Sequence, residues 1–266
     1  MARLSGYGGS VIVASQVIEN CEDAWNEMAG TGVTASLDTS DFKNGSGSAK
    51  FVCDATTGVE LVATEQVTSM DLSAYTDLLF WAKSSVAMDA NDWQLCLDDS
   101  ASCGSPIITA NLPALSADTW KFCRVSADMS SCTAIVSVGL KQAVDKGALT
   151  FRIDSVWAGA AISGVKSWTL DKTVDVYEST GFDSSGAKTY LPGASSWSGS
   201  FEGYKDGAPL AVGSVIGLEL RESSTATQQW RGMAIITGVH DTVSVDGLVT
   251  YSYDFQGTDA LELATA

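Results

Sequence analysis

Apolar and polar residues alternate with a period of two along most of this chain, and no stretch keeps an apolar period of 3.6 for the length of a helix. In the first part the apolar runs are short, at 49–53, 77–83, 93–97, 120–125 and 149–154, with Gly, Ser, Asn and Asp clustered between them. Turn clusters this close together predict a β-sandwich of about eight strands. From Val165 the rhythm lengthens. Val165–Glu178 alternates throughout, which predicts one long amphipathic strand. Residues 179–194 follow as a loop long enough to be functional. Further strands are predicted over 196–204, 215–220, 229–237 and 248–256. The stretch 208–212 could be read as a short helix, but Gly207 and Pro209 favour a turn. The fold class is all-β.

The two parts do not follow one another simply. Gly8-Gly9-Ser10-Val11-Ile12-Val13-Ala14-Ser15 reads as the first edge of a β unit, and its continuation, residues 159–168, comes about 145 positions later. All six cysteines lie in the first half and none in the last 134 residues. An inserted domain explains both facts. The expected organisation is a discontinuous host, residues 1–15 plus 158–266, carrying a cysteine-bearing domain at 16–157.

Composition narrows the function classes. The chain has 15 basic and 32 acidic residues, a net charge of −17, divided as −11 over residues 14–158 and −6 over the rest. That balance argues against duplex binding, where Lys and Arg must replace the counterions of the phosphates. It suits a solubilising surface, or a wall that repels nucleic acid. No apolar run approaches the roughly 20 residues that cross a bilayer, so no membrane partner is expected. The start, Met1-Ala2-Arg3-Leu4-Ser5-Gly6-Tyr7, lacks the apolar core of a secretory signal. Synthesis in a cytoplasm is the expectation.

The cysteines are Cys21, Cys53, Cys96, Cys103, Cys123 and Cys132. No Cys-x-x-Cys pair occurs and His240 is the single histidine, so a zinc site is not expected. The spacings 96–103 and 123–132 suit small loop-closing disulfides, which leaves 21–53 as a third pair; six cysteines permit fifteen pairings, and six small buried thiols fit the sequence too. No nucleophile and base are recognisably paired, and the chain is not expected to be an enzyme.

Two resemblances sharpen this reading. Residues Glu19, Trp25, Asn44-Gly45-Ser46-Gly47-Ser48, Leu79-Phe80-Trp81-Ala82-Lys83, Asp118-Thr119-Trp120-Lys121 and Phe151-Arg152-Ile153-Asp154, in that order, resemble the galactose-binding-like jelly rolls used as carbohydrate-binding modules. That resemblance implies a candidate structural calcium held by Glu19, the 44–48 loop with Asn44, and Asp154, all oxygen donors. No other cofactor is expected. It also implies a sugar platform of Trp81 or Trp93, with Asn91 and Gln94 as polar partners, and surface glycans as possible ligands.

The host segments Val165-Lys166-Ser167-Trp168, Thr180-Gly181-Phe182-Asp183, Ser196-Trp197-Ser198-Gly199-Ser200-Phe201, Ala234-Ile235-Ile236-Thr237-Gly238 and Thr250-Tyr251-Ser252-Tyr253-Asp254-Phe255 resemble the tail tube proteins of long-tailed phages. This implies a virion protein assembled in the host cytoplasm. Its own copies would be its partners, in rings of six stacked into a tube, together with other virion proteins. DNA would pass through without specific binding. The 179–194 loop, with Phe182, Asp183, Tyr190 and Leu191, would bridge adjacent rings, and the jelly roll would project outward. The same fold also serves as capsid decoration or other head-associated protein, which is the alternative role; a free carbohydrate-binding module is a more distant one.

Overall fold

The computed structural model describes residues 6–28, 32–205, 207, 209–223 and 228–265. The described residues form antiparallel sheets, and their one helical element is a 3₁₀ turn at Ala101–Cys103. The chain separates into two compact units. One contains Val13–Ala161; the other contains the residues up to Ile12 and Ile162–Ala266.

The Val13–Ala161 unit is a two-sheet sandwich. Its strands are β1 (Ser10–Glu19, entering from the other unit), β2 (Asn26–Glu27), β3 (Val33–Asp38), β4 (Ser48–Cys53), β5 (Leu61–Met70), β6 (Asp77–Ser84), β7 (Trp93–Asp98), β8 (Ile108–Asn111), β9 (Lys121–Ser126), β10 (Ile135–Gln142) and β11 (Leu149–Ala161). One sheet runs β1-β11-β4-β3, with β6 also pairing β11 and β9 pairing β6; the other runs β2-β5-β10-β7-β8. Alternate residues of both sheets meet in a shared core. Trp93 stacks on Phe151 with ring centroids 4.5 Å apart, and Trp25 meets Phe51 edge-on at 5.5 Å. Each such ring removed from water contributes about 1.5–3 kcal/mol.

Strand β6 is buried on both faces. Leu78, Phe80 and Ala82 enter the main core, while Leu79 and Trp81 point the other way. Trp81 packs against Phe122 at 5.0 Å, under Lys43, whose ammonium lies 4.8 Å from the indole centroid. Asp41 accepts from Trp120 Nε1 at 2.7 Å and from Lys83 Nζ at 2.8 Å, pinning the 39–47 loop across that second face. Asp38, at the end of β3, accepts two bonds from Arg152 at 3.0 and 2.8 Å.

The other unit is one curled sheet. Its strands are β12 (Val165–Glu178), β13 (Tyr190–Tyr204), β14 (Val215–Arg221), β15 (Gln228–Thr242), β16 (Thr250–Gly257) and β17 (Glu262–Thr265). The order is β12-β13-β16-β15-β14-β1, with β17 on β15. The sheet curls so that its β12 end reaches the far strands: Trp168 of β12 donates its indole N–H to Arg221 O of β14 at 3.1 Å, and Lys172 Nζ lies 3.6 Å over the Trp230 ring of β15. The inside holds Trp197, Phe201, Tyr251, Tyr253 and Phe255, with Ile216, Leu218 and Leu220 from β14. Trp197 lies against Gly232 and Gly257; a Cβ on Gly257 would sit 2.0 Å from the indole, so only glycine admits the ring there.

Several sequence expectations are refined. β12 spans the predicted residues, whereas β15 extends to Thr242 and β11 to Ala161. The helix considered at 208–212 is not formed over 209–212, where the chain turns (Ser214 N to Ala211 O, 3.2 Å); Ala208 lies outside the described residues. Where the chain re-enters this unit, Ile162 N–H donates to Val11 O at 2.9 Å.

Candidate functional site

The curled sheet has two unlike faces. On β13, Trp197 and Phe201 face inward, so Ser198, Ser200 and Glu202 face outward; on β16, Tyr251, Tyr253 and Phe255 face inward and Ser252, Asp254 and Gln256 outward. Register lines these residues up in rows: Asp171–Ser198–Gln256, then Thr169–Ser200–Asp254, then Glu202–Ser252–His240. The rows are tied by short hydroxyl contacts. Thr169 Oγ1 and Ser200 Oγ are 3.0 Å apart, Thr173 Oγ1 and Ser196 Oγ 2.9 Å, and Ser167 Oγ donates to Glu202 at 3.0 Å. His240 Nε2 lies 3.1 Å from Asp254 Oδ2.

The three rows themselves present three carboxylates among Ser, Thr and Gln, with one imidazole. Lys172 points inward, while Lys166 lies over the Tyr204 ring at 4.5 Å and lines one cleft with Glu202, Ser252 and His240 of the third row. Reasoning from sequence missed this face. Its signal is the polar half of the alternation in Ser198-Gly199-Ser200-Phe201-Glu202 and Tyr251-Ser252-Tyr253-Asp254-Phe255-Gln256, read above only for its apolar half.

Strands β12 and β13 continue past the sheet. Pairing of β13 with β16 ends at Ser198–Gln256, but β12 and β13 stay paired from Thr173–Ser196 out to Glu178–Tyr190. This two-stranded arm exposes Val174, Val176, Tyr177, Tyr190 and Leu191, and Phe182 at its tip is fully exposed. Of the four residues expected in the bridging loop, Phe182 and Asp183 are in the tip, closed by Ser179 N to Thr189 O at 2.8 Å; Tyr190 and Leu191 already belong to β13. An isolated hairpin is marginally stable in water, and this one lacks a covering layer for its apolar residues.

The jelly-roll sites fare differently. Trp81 and Trp93 are 3% and 1% exposed, so neither is a sugar platform. The sequence shows a Trp in an alternating strand but not that β6 is covered on both sides. Gln94 is on the outer face, where its amide donates to Asn111 Oδ1 at 2.7 Å; Asn91 lies in the preceding turn with φ +73°.

The residues of the expected calcium set bond within the chain. Asp154 Oδ2 accepts from Lys43 N at 2.7 Å and Asn44 N at 2.9 Å, and its Oδ1 accepts from Ser155 Oγ. Asn44 turns its NH₂ towards Ser155 Oγ at 3.1 Å. Glu19 accepts from Cys21 N at 2.9 Å, and its acidic neighbours are Asp23 and Glu65. The Asp154 carboxylate thus serves the N–H groups of the 43–44 loop, and Glu19 that of Cys21. Among the described residues no three His, Cys, Asp or Glu side chains gather as a metal site. Burial raises the Asp154 carboxyl above its usual range, against the pull of the Asn44 and Lys43 N–H groups. Burial likewise raises Glu19.

All six cysteines are buried and stand as thiols in this structure. The 21–53 pair is excluded by distance. Cys21 neighbours the backbone of Ser155 and Val156, whereas Cys53 pairs opposite Leu149, six residues along β11. Six residues of strand span about 20 Å, well beyond the roughly 7 Å between α-carbons that a disulfide bridges. Cys123 instead donates its thiol to Lys121 O at 3.6 Å.

No known family model matches the chain, and no curated protein does. Solved structures resemble it in parts. The tail of an empty gene transfer agent particle, of six-fold symmetry, is similar over 40% of this chain and 87% of that one, at 19% identity and a TM-score of 0.36. A family 30 carbohydrate-binding module is similar over 57% of this chain and 90% of that one, at 13% identity and 0.36. The family 30 module of a cellulosomal cellulase of Clostridium thermocellum is similar over 56% and 97%, at 13% identity and 0.34. No helix among the described residues is long and apolar enough to cross a membrane.

Proposed function

We propose that this chain is a non-enzymatic structural protein of a tailed virion. Its discontinuous host domain serves as a tail tube subunit, and the jelly roll is carried as outward decoration. The observation that carries the reading is the face built from Asp171, Glu202 and Asp254 among Ser, Thr and Gln. Placed on the inside of a ring, it is a predominantly like-charged wall, with Lys166 at its margin to pair with phosphate, so DNA slides past it. The exposed arm supplies what stacking needs, an apolar surface that becomes buried only against another subunit. Rings of six are the number that the tail-tube resemblance implies.

The test is imaging of the assembled protein. Tubes whose central channel is lined by Asp171, Glu202 and Asp254 are expected, with gold-labelled antibody against residues 16–157 decorating the shaft of particles. Gold on the head would replace this reading with capsid decoration. Tubes with that face on the outside would remove its physical basis.

A further inference from the structure

In β7 the residues Trp93, Leu95 and Leu97 enter the core, so Cys96 points to the outer side of its sheet. Its register partners are Thr109 on β8 and Gly139 on β10. After Asp98 the chain folds back over this outer side as a strap. Two non-glycine residues of the strap take left-handed backbone, Ser102 at φ +68° and Cys103 at φ +48°. Asp98 Oδ2 accepts from Ser100 Oγ at 2.7 Å and from Ser105 N at 3.1 Å, and Ser137 of β10 donates to Ser100 O at 2.7 Å. Cys103 N donates in turn to Ser137 Oγ at 3.2 Å.

This strap delivers Cys103 into the space left by a missing side chain. A Cβ on Gly139 would sit 3.0 Å from Cys103 Sγ and 3.1 Å from its Cβ. Gly139 is the residue directly opposite Cys96, and opposed Cβ positions in an antiparallel pair are about 5 Å apart. Cys103 Sγ also lies 3.9 Å from Cys96 O. The two thiols thus share one side of the sheet, within a side-chain rotation and a small strap movement of bonding distance.

We propose that Cys96 and Cys103 are a reversible dithiol–disulfide site that fastens the strap to the sheet, with a small-molecule disulfide such as oxidised glutathione as the oxidant. One cysteine thiolate attacks oxidised glutathione, forming a mixed disulfide and releasing one glutathione thiolate. The second cysteine thiolate then attacks the protein sulfur of that mixed disulfide, forming the Cys96–Cys103 bond and releasing the second glutathione. Two protons and two electrons leave the protein, and one oxidised glutathione becomes two reduced ones. Burial raises Cys103 to about 11 and raises Cys96 as well. The closed strap therefore holds little thiolate, and the site reacts when the strap lifts. The inference rests on this unit alone and is independent of the assembly reading.

The experiment equilibrates the folded full-length chain with glutathione at graded oxidised-to-reduced ratios, followed by acid quenching and non-reducing digestion on the N-terminal side of aspartate. Cleavage at Asp98 and Asp99 separates Cys96 from Cys103. The expected result is that the two fragments stay joined, lighter by two hydrogens, and separate when the ratio is reversed. Cys96→Ser and Cys103→Ser, each checked for native circular dichroism, should lose the linkage and leave a glutathione adduct on the remaining thiol. Hydrogen exchange at residues 100–105 should slow on oxidation. Persistence of both thiols at the most oxidising ratio, or linkage of either to another cysteine, overturns the proposal.

Discussion

Glu219 shows how much a single buried charge can decide. Its side chain is wholly buried, it accepts from Arg221 Nε at 2.6 Å, and it also bonds Arg231, its cross-strand partner. Glu219→Ala would leave two guanidinium groups partly desolvated without their acid, and removing one partner from a buried pair costs about 3–5 kcal/mol. Both arginines keep some solvent contact, so the lower end is expected, read as a fall in the denaturant midpoint of the β12–β17 unit. Asp38 makes a pH-dependent contribution. The Ser40 hydroxyl, followed by the Ser40 N–H and Arg152, holds its carboxyl well below the ordinary range. A depressed carboxylate stabilises the fold fully above its unfolded value of about 3.9, and that contribution is lost as pH falls through the folded value. Asp38→Asn should therefore lower stability at neutral pH and flatten its decline below about pH 4, measured as urea midpoints against pH. Glu19 and Asp154 carry the opposite sign. Raised by burial, they favour the fold at low pH and lose that contribution as pH rises through their folded values.

Among the elements, β6 and the β12–β13 arm mark the two ways in which sequence patterns fell short. The run of residues 77–83 told of a strand, but burial of both its faces depends on the 39–47 loop and on Trp120 reaching Asp41, contacts made by residues far apart in the chain. Trp81 was consequently read as a platform when it is packing. Trp93→Ala, which removes the ring stacked on Phe151, should cost about 3–5 kcal/mol, seen in thermal unfolding, with no change in retention on an immobilised glycan. The alternation of Val165–Glu178 gave the strand with its ends, because period two needs no tertiary information. It could not reveal that the outer half has no covering layer, since exposure is set by what else reaches that face. Replacing Tyr177 and Leu191 with Ser should leave the unfolding midpoint nearly unchanged, as expected for exposed sites. On the assembly proposed above, sedimentation should show loss of the assembled form.

For the whole molecule, the clearest signals were the cysteine distribution and the seam at residues 8–15 and 159–168. These are features of chain order, and chain order is what a sequence records directly. The acidic face was legible only in part, because charge totals do not say which strands lie side by side. The division of the chain makes a further expectation. Replacing residues 13–161 with a short Asn-Gly turn joins two segments already bonded through Ile162 and Val11. The remaining unit should unfold cooperatively and, on the proposed function, form tubes, as checked by calorimetry and electron microscopy.

The bond between Ile162 and Val11 also marks where the chain passes out of one unit and back. The Val13–Ala161 unit is thus moored at two points, where a domain appended at a chain end would have one. A single cut by a protease in the surrounding medium would open a loop or one mooring and leave the unit attached through the other. Shedding would require two separate cuts, so the attachment should outlast that of a domain joined by a single linker.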